Sequence, residues 1–260
     1  MNFIKSLYIE RLLTMSGALM TSSFFRRMKY IRRSLIYECF GDKELLKALA
    51  MAYLIKHRTK SSNIRHYSIN LIRTITGIHA TTIKKRLQTL NEYGLILIEK
   101  DNLIIRSTVS KHSKRNMNIG RMDFTSVKTV ERSLQALQVV FLQQRKDFCK
   151  HTIHNAHSGF NPKKIKAARK ACRKYGFGNK YVERGLSYAT IARKLGLSVT
   201  TTFNVVKQGV KRKYFKKFTH FVRTFLKGVY GMYIEGYTFT TKNYGFQVQA
   251  NTYKVGYRWT

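Results

Sequence analysis

The stretch CKHTIHNAH sets Cys149, His151, His154 and His157 close together, and thiolate and imidazole are the ligands zinc prefers. A structural zinc site needs four ligands and is usually framed by a second Cys pair, whereas Cys172 is the only other thiol nearby. A neutral polar loop beside a polyanion is the expected reading, with zinc as its alternative. Catalysis finds less support. Metal-assisted phosphoryl transfer needs clustered carboxylates, and the 12 Asp and Glu are scattered, several at helix caps or on surfaces. No P-loop, Gly-x-Ser-x-Gly elbow or His-Glu-x-x-His is present. A Tyr nucleophile in an Arg and His constellation stays open among 16 Tyr. The expectation is nonetheless a protein that is not an enzyme and holds no cofactor and no metal.

Charge points to a partner instead. Against those 12 acids stand 50 Lys and Arg, a formal charge of +38. Such self-repulsion is hard to sustain unless a polyanion neutralises it. With 43% hydrophobic and 13% aromatic residues, the 260-residue chain can still build real cores. It reads as a folded chain of one large or two small domains. Cys39, Cys149 and Cys172 have no disulfide-framework spacing and suit a reducing compartment, so a cytoplasmic, nucleoid-associated protein is expected, or a virion component if phage-encoded. The opening MNFIKSLYIERLLTMSGALM reads as an amphipathic helix, because Glu10 and Arg11 interrupt what would otherwise pass for a signal peptide. No run of about 18 apolar residues occurs, so no membrane partner is expected.

The elements that could meet a polyanion begin at Asp42. DKELLKALAMAYLIKHR carries a capping Asp42 and apolar Leu45, Leu46, Leu49, Ala52 and Tyr53 at helical spacing. Ser68 caps a short helix that Gly77 ends with a tight turn. TTIKKRLQTLNEYGLI follows, its Ile83, Leu87 and Leu90 forming one stripe. Two short strands, Leu95 to Ile98 and Leu103 to Ile105, close the segment as a hairpin. TGIHATTIKKRLQTLNEYGLI resembles bacterial winged helix-turn-helix repressors across about Asp42 to Thr108. The resemblance implies that Ile83 and Leu87 hold the helix down. It also implies that Ala80, Thr81, Lys84, Lys85 and Gln88 lie toward the major groove of double-stranded DNA, with Lys100 and Arg106 on the wing touching backbone or minor groove. Winged helices also serve as protein-docking modules, and a basic helix face is often only solvated.

A second motif lies within Lys163 to Lys227, a window with a single acid, Glu183. In GLSYATIARKLGLSVTTTFNVVKQGVKRKYFKKF, Ser187 caps a helix with Ile191, Ala192 and Leu195 inward and Gly196 turns the chain. Ser198 then caps a helix with Thr202, Val206 and Val210 at i, i+4 and i+8. LSYATIARKLGLSVTTT resembles the helix-turn-helix of sigma factors, with Thr202 where that family has an apolar Val. Carried over position by position, Val199, Thr200, Phe203, Asn204 and Lys207 face the groove, and Gln208, Lys211 and Arg212 follow the phosphates.

Between the motifs, Val127, Val130, Leu134, Leu137, Val140 and Phe141 predict a long helix over Ser126 to Phe148 that serves as strut or dimerisation helix. KHSKRNMNIGR, Lys111 to Arg121, is the most linker-like text. After Gly228 the alternating, Tyr-rich sequence predicts an antiparallel β segment with a turn at Lys242 to Gly245. Tyr237, Phe239, Tyr244 and Phe246 there could stack on unpaired bases or simply reflect strand propensity.

The expected fold is mainly α with small β-hairpins: two helix-turn-helix modules, the first winged, joined by a long helix, with a C-terminal antiparallel β segment. Its divisions are 1–41 (amphipathic helical), 42–110 (winged module), 111–160 (linker and long helix), 161–228 (second basic module) and 229–260 (β segment). The expected function is sequence-specific duplex binding without catalysis, as a transcription regulator or a replication initiator, with a homodimer and the replication or transcription machinery as further partners. The tandem arrangement is similar in organisation to plasmid replication initiators, without a residue-level match. Lys-, Ile- and Tyr-rich text with one Pro fits a phage or mobile element. The alternative is a basic protein that condenses or packages DNA regardless of sequence.

Overall fold

The protein is described by a computed structural model over residues 30–106, 108, 116–118, 122–159, 161–173, 185–225, 239–241 and 244–255. The described residues form eight helices and small antiparallel sheets, a mainly helical architecture. The chain divides into two compact units whose boundary falls after Leu134, inside the longest helix. Among the described residues, no helix is long and apolar enough to cross a membrane.

The first unit opens with strand β1 (Tyr30–Arg32) and helix α1 (Arg33–Glu38), whose Ile31, Leu35 and Ile36 are buried. The amphipathic helix expected over MNFIKSLYIERLLTMSGALM lies outside the described residues, and the end of the 1–41 segment is the strand β1 followed by the helix α1. Helix α2 (Lys43–Thr59) starts where Asp42 accepts a hydrogen bond from the Leu45 N–H at 2.9 Å. It buries Leu45, Leu46, Leu49, Ala52 and Tyr53, as their spacing predicts. A two-residue strand, β2 (Asn63–Ile64), precedes α3 (Ile69–Thr76). Ser68 caps α3 through the Leu71 N–H, and Gly77 ends it with φ +70°, a left-handed backbone that glycine adopts without Cβ strain.

Three residues after Gly77, α4 (Ala80–Glu92) begins, seated by buried Ile83, Leu87 and Leu90. Strands β3 (Ile96–Glu99) and β4 (Asn102–Ile105) form the expected hairpin, pairing Ile96 with Ile105 and Glu99 with Asn102. Strand β2 pairs with the other edge of β4, giving the order β2-β4-β3. That third strand was not legible, since two residues carry no period. Within the segment expected as linker, Asn116–Asn118 form strand β5, which pairs Met117 with Ile31 of β1. The structure has a strand there where a linker was expected, because pairing with β1 specifies a piece too short to carry a period of its own.

Arg58 ties this unit together, donating to the carbonyls of Ile75 at 2.6 Å and Thr125 at 2.8 Å. His57 stacks on Phe124 with ring centroids 4.1 Å apart. Helix α5 (Val127–Ser158) then starts with Ser126 and Thr129 capping one another's backbone N–H groups. It extends ten residues beyond the predicted Phe148, so CKHTIHNAH is helical and the polar-loop reading is corrected. Its Cys, Thr, His and Asn are weak helix formers, but neither Gly nor Pro interrupts the backbone ladder.

In the second unit, α5 packs Cys149 and Ile153 inward. Helix α6 (Pro162–Arg173) buries Ala168 and Cys172, and the Cys172 thiol points at the Cys149 carbonyl at 3.8 Å. Helix α7 (Tyr188–Leu195) is capped by Ser187 and ended by Gly196 at φ +62°. Helix α8 (Val199–Lys211) is capped by Ser198, whose hydroxyl oxygen accepts from the Thr201 N–H at 3.0 Å. Ile191, Ala192 and Leu195 of α7 pack inward as expected. Thr202, the polar substitution in the motif, is 0% exposed, and its hydroxyl donates to the Ser198 carbonyl at 3.0 Å. A buried hydroxyl so satisfied escapes the desolvation penalty. Val210 is corrected: it is 41% exposed, and Gly209 takes the inward position one residue earlier.

Lys213, at φ +59°, turns the chain out of α8 into strand β6 (Phe215–Phe225). Strand β6 thus begins inside the segment expected as the second basic module, residues 161–228, where the aromatic spacing of FKKFTHFVRTF favours a strand. Strand β8 (Tyr244–Val255) lies between β6 and the short β7 (Phe239–Thr241). Gly245 pairs with Thr224 and Thr240 inside this sheet, which removes it from the expected turn. The β6–β8 register shifts between Phe218 and His220. There Leu186 donates to the Asn251 carbonyl at 2.7 Å, and the buried Lys146 ammonium donates to the carbonyl of Gly185.

Gly209 couples α8 to this sheet. A Cβ at that position would stand 2.5 Å from Cε1 and 2.6 Å from Cζ of Phe215, and Phe215 is itself buried edge to face against Tyr253 at 5.5 Å. Gly→Ala inside a helix ordinarily stabilises by up to about 1 kcal/mol. Gly209→Ala should instead destabilise by about 1–3 kcal/mol through overpacking. Urea denaturation checks the sign, and the cost should shrink in a Phe215→Leu background.

Candidate nucleic-acid interface

A helix of about 3.6 residues per turn that buries Ile83, Leu87 and Leu90 must turn Thr81, Lys85, Gln88 and Glu92 the opposite way, with Lys84 on one flank. The structure exposes Thr81, Lys84, Lys85 and Gln88 and half-exposes Ala80. It also divides them. Lys85 Nζ lies 3.4 Å from Glu44 of α2, and Gln88 Nε2 donates to Glu92 at 3.0 Å. Among the described residues, Lys84 and Thr81 at the amino-terminal end have no such carboxylate. His79, which sequence reasoning passed over, stands beside them with Nδ1 3.0 Å from the Thr81 hydroxyl.

Glu44 binds Lys47 at 2.8 Å as well as Lys85, and hydrogen bonding to Lys47, with the charges of both lysines, holds its carboxyl below the usual range. Beneath this face Arg86 is half-buried, and desolvation lowers its guanidinium from its ordinary value. Glu131 of α5 is the nearby acid. Burial raises its carboxyl despite the opposing pull of Lys47 and Arg86.

Lys100 and Arg106 do not come together. Lys100 occupies the tip of the β3–β4 hairpin with φ +49°, exposed. Arg106 lies past the far end of β4, where Nη1 approaches the Gly94 carbonyl at 3.5 Å. Of the two, Lys100 alone lies at the tip, between the exposed acids Glu99 and Asp101.

In the second unit, α8 buries Thr202, Val205, Val206 and Gly209. Thr200, Asn204, Lys207 and Lys211 consequently share the opposite face, all exposed. Gln208 is half-buried on one flank, and Arg212 is exposed just past the last turn. Val199 and Phe203 occupy the other flank, 53% and 47% exposed. No carboxylate occurs in α8, in contrast to α4.

Two further residues were missed because they belong to other elements. Tyr188 of α7 meets the Phe203 ring edge to face at 5.7 Å, and Lys217 of β6 donates to the Tyr188 hydroxyl at 3.4 Å. A spacing rule confined to one helix cannot find them.

The Cys and His cluster takes a different form from a ligand set. Cys149 is buried, and desolvation with the neighbouring Cys172 raises its thiol to about 12. His151, His154 and His157 face outward, with His157 Nε2 3.0 Å from the Arg169 guanidinium. Because Arg only donates, that nitrogen must be the acceptor. Among the described residues no three His, Cys, Asp or Glu converge as a metal-binding group.

Comparison with protein-family models, curated proteins and solved structures finds no match to this chain.

The raised Glu131 carboxyl has a pH consequence. A carboxyl whose folded-state value lies above its unfolded one favours the fold while protonated, and that contribution is lost as pH rises through the folded value. Glu131→Gln should therefore melt above the wild type at neutral pH and approach it below about pH 4, where both side chains are neutral. Melting curves across that range check the sign.

Proposed function

We propose that this chain is a sequence-specific double-stranded DNA-binding protein, built on two helix-turn-helix modules of which the first is winged, and acting without catalysis. The outward face of α8 carries this reading: Thr200, Asn204 and Lys207 stand together, exposed, on a helix held by its opposite face. An α-helix with side chains is about 10–12 Å across and the major groove about 12 Å wide. Asn offers the donor and acceptor pair that adenine presents, and Lys can bind guanine or phosphate. The corresponding face of α4, with Thr81, Lys84 and Gln88, and the Lys100 hairpin tip support a second contact of the same kind.

The function in view is transcription regulation or replication initiation for a phage or mobile element, in contact with the corresponding machinery. Pairing of two chains would double the readers and suit repeated or palindromic sites. Its setting would be the nucleoid, or the virion if the protein is packaged. The mixed side chains on both faces favour this over DNA condensation. A coating protein needs only phosphate contacts, whereas Asn and Gln at outward positions offer in addition the donor and acceptor pair that an adenine edge presents.

Selection from random duplexes at physiological salt separates the two. A specific reader should recover a motif bound about a thousandfold more tightly than random DNA, and recovery of none would overturn the proposal. Asn204→Ala with Lys207→Ala, and Lys84→Ala with Gln88→Ala, should each relax the preference at part of the motif. Both proteins should also lose about a thousandfold in affinity between about 50 and 200 mM salt, which reports the phosphate contacts that either reading shares.

A further inference from the structure

The exposed surface of α8 consists of two lanes. Beside the polar lane of Thr200, Asn204, Lys207 and Lys211 runs an apolar one that contains Val199 and Phe203, one turn apart. Phe203 is braced from outside its own helix, since Tyr188 meets its ring edge to face and Lys217 holds the Tyr188 hydroxyl. The Lys217 ammonium also stands 5.9 Å from the Tyr188 ring centroid. Three elements therefore fix one ring that stays about half in water. An apolar protein partner would have to approach across Lys207, Lys211 and Lys217, all exposed, so the charge around the patch favours a polyanion.

The one apolar group that a duplex presents in its major groove is the thymine C5-methyl. We propose that Val199 and Phe203 contact thymine methyls, which makes A·T pairs the bases read by the second unit. The inference rests on the duplex-binding reading above and names its ligand. Val199 and Phe203 are separated by about 6 Å along the helix, close to two base steps of about 3.4 Å. Asn204, next in sequence to Phe203, carries the amide that matches adenine N6 and N7. One side of α8 can then meet the methyl of a thymine while the adjoining side meets an adenine edge.

The test replaces each thymine of the selected duplex by deoxyuridine, which removes the methyl and leaves base pairing intact. Affinity is read by fluorescence anisotropy at fixed salt. One or two positions should lose about fourfold each, the fold-change of about one buried methyl-sized group. Val199→Ala and Phe203→Ala should each abolish that loss at one position, while Phe203→Leu retains part of it. Both sites are exposed, and a melting curve for each variant confirms its fold. Equal affinity for the thymine and uracil duplexes, with the selected motif intact, overturns this inference and leaves the duplex-reading proposal standing. A thymine preference that survives both Ala substitutions also overturns it, because the methyl would then act elsewhere. Recovery of no motif removes the duplex reading and this inference together.

Discussion

Fifty cationic side chains share this chain with 12 carboxylates, so ion pairing can neutralise only a minority of them and the fold must be held by other means. What holds each unit is apolar burial together with hydrogen bonds to backbone groups, from hydroxyls such as Thr202 and from charged side chains such as Arg58 and Lys146. Leu45, Leu49, Ile72, Ile83 and Leu87 supply the burial in the first unit, and Ile191, Val206, Phe215 and Tyr253 in the second. The second unit is the extreme case, with Asp147, Glu183 and Glu235 as its three acids. Repulsion at that density destabilises any compact state. A bound polyanion would reverse the sign of this term, so binding and stability are linked in one direction.

Within that constraint, small groups fix the orientation of the two exposed helices. The Thr202 hydroxyl returns to the Ser198 carbonyl, which lets a polar residue occupy a position fully shielded from water. Gly209 gives Phe215 the space to lie against α8, and Phe215 in turn meets Tyr253. The rotation of α8 about its axis, and hence which side chains point outward, follows from these contacts. In the first unit Arg58 reaches the carbonyls of Ile75 and Thr125, satisfying helix-end and loop acceptors that the sequence supplies with no other obvious donor.

Helices α2, α3, α4, α7 and α8 and most of their buried stripes were legible because period and capping residues agree, whereas α1 and α6 were not read from the sequence. Asp42, Ser68, Ser187 and Ser198 all cap as their types predict, and Gly77 and Gly196 take the left-handed turns. Strands β2 and β5 were not, since pieces of two or three residues are specified by the partner strand rather than by their own text. The start of β6 was hidden by its lysines, which grouped Phe215–Phe225 with the basic segment before it, although its aromatic spacing and its pairing with β8 make it a strand. Val210 was misplaced by one residue for a related reason: a hydrophobic period assigns the larger side chain inward, whereas the contact with Phe215 requires the smaller one. Of the candidate interface, the exposed faces followed from helical period alone. The pairing of Lys85 with Glu44, and the Tyr188 and Lys217 brace behind Phe203, depend on elements distant in sequence.

Those long-range contacts make the two exposed faces unlike one another. On α4 the carboxylates Glu44 and Glu92 engage Lys85 and Gln88, so a phosphate approaching the middle of that helix must compete with an internal acceptor. On α8, among the described residues, no carboxylate pairs with Thr200, Asn204, Lys207 or Lys211, and the adjoining lane is apolar and braced. A preorganised face needs less ordering when it binds than one whose cations must first exchange partners. On the duplex-reading proposal, α8 is therefore the face suited to discriminate among bases. The amino-terminal end of α4, where Thr81 and Lys84 are open, suits a contact that positions the duplex more than it reads it.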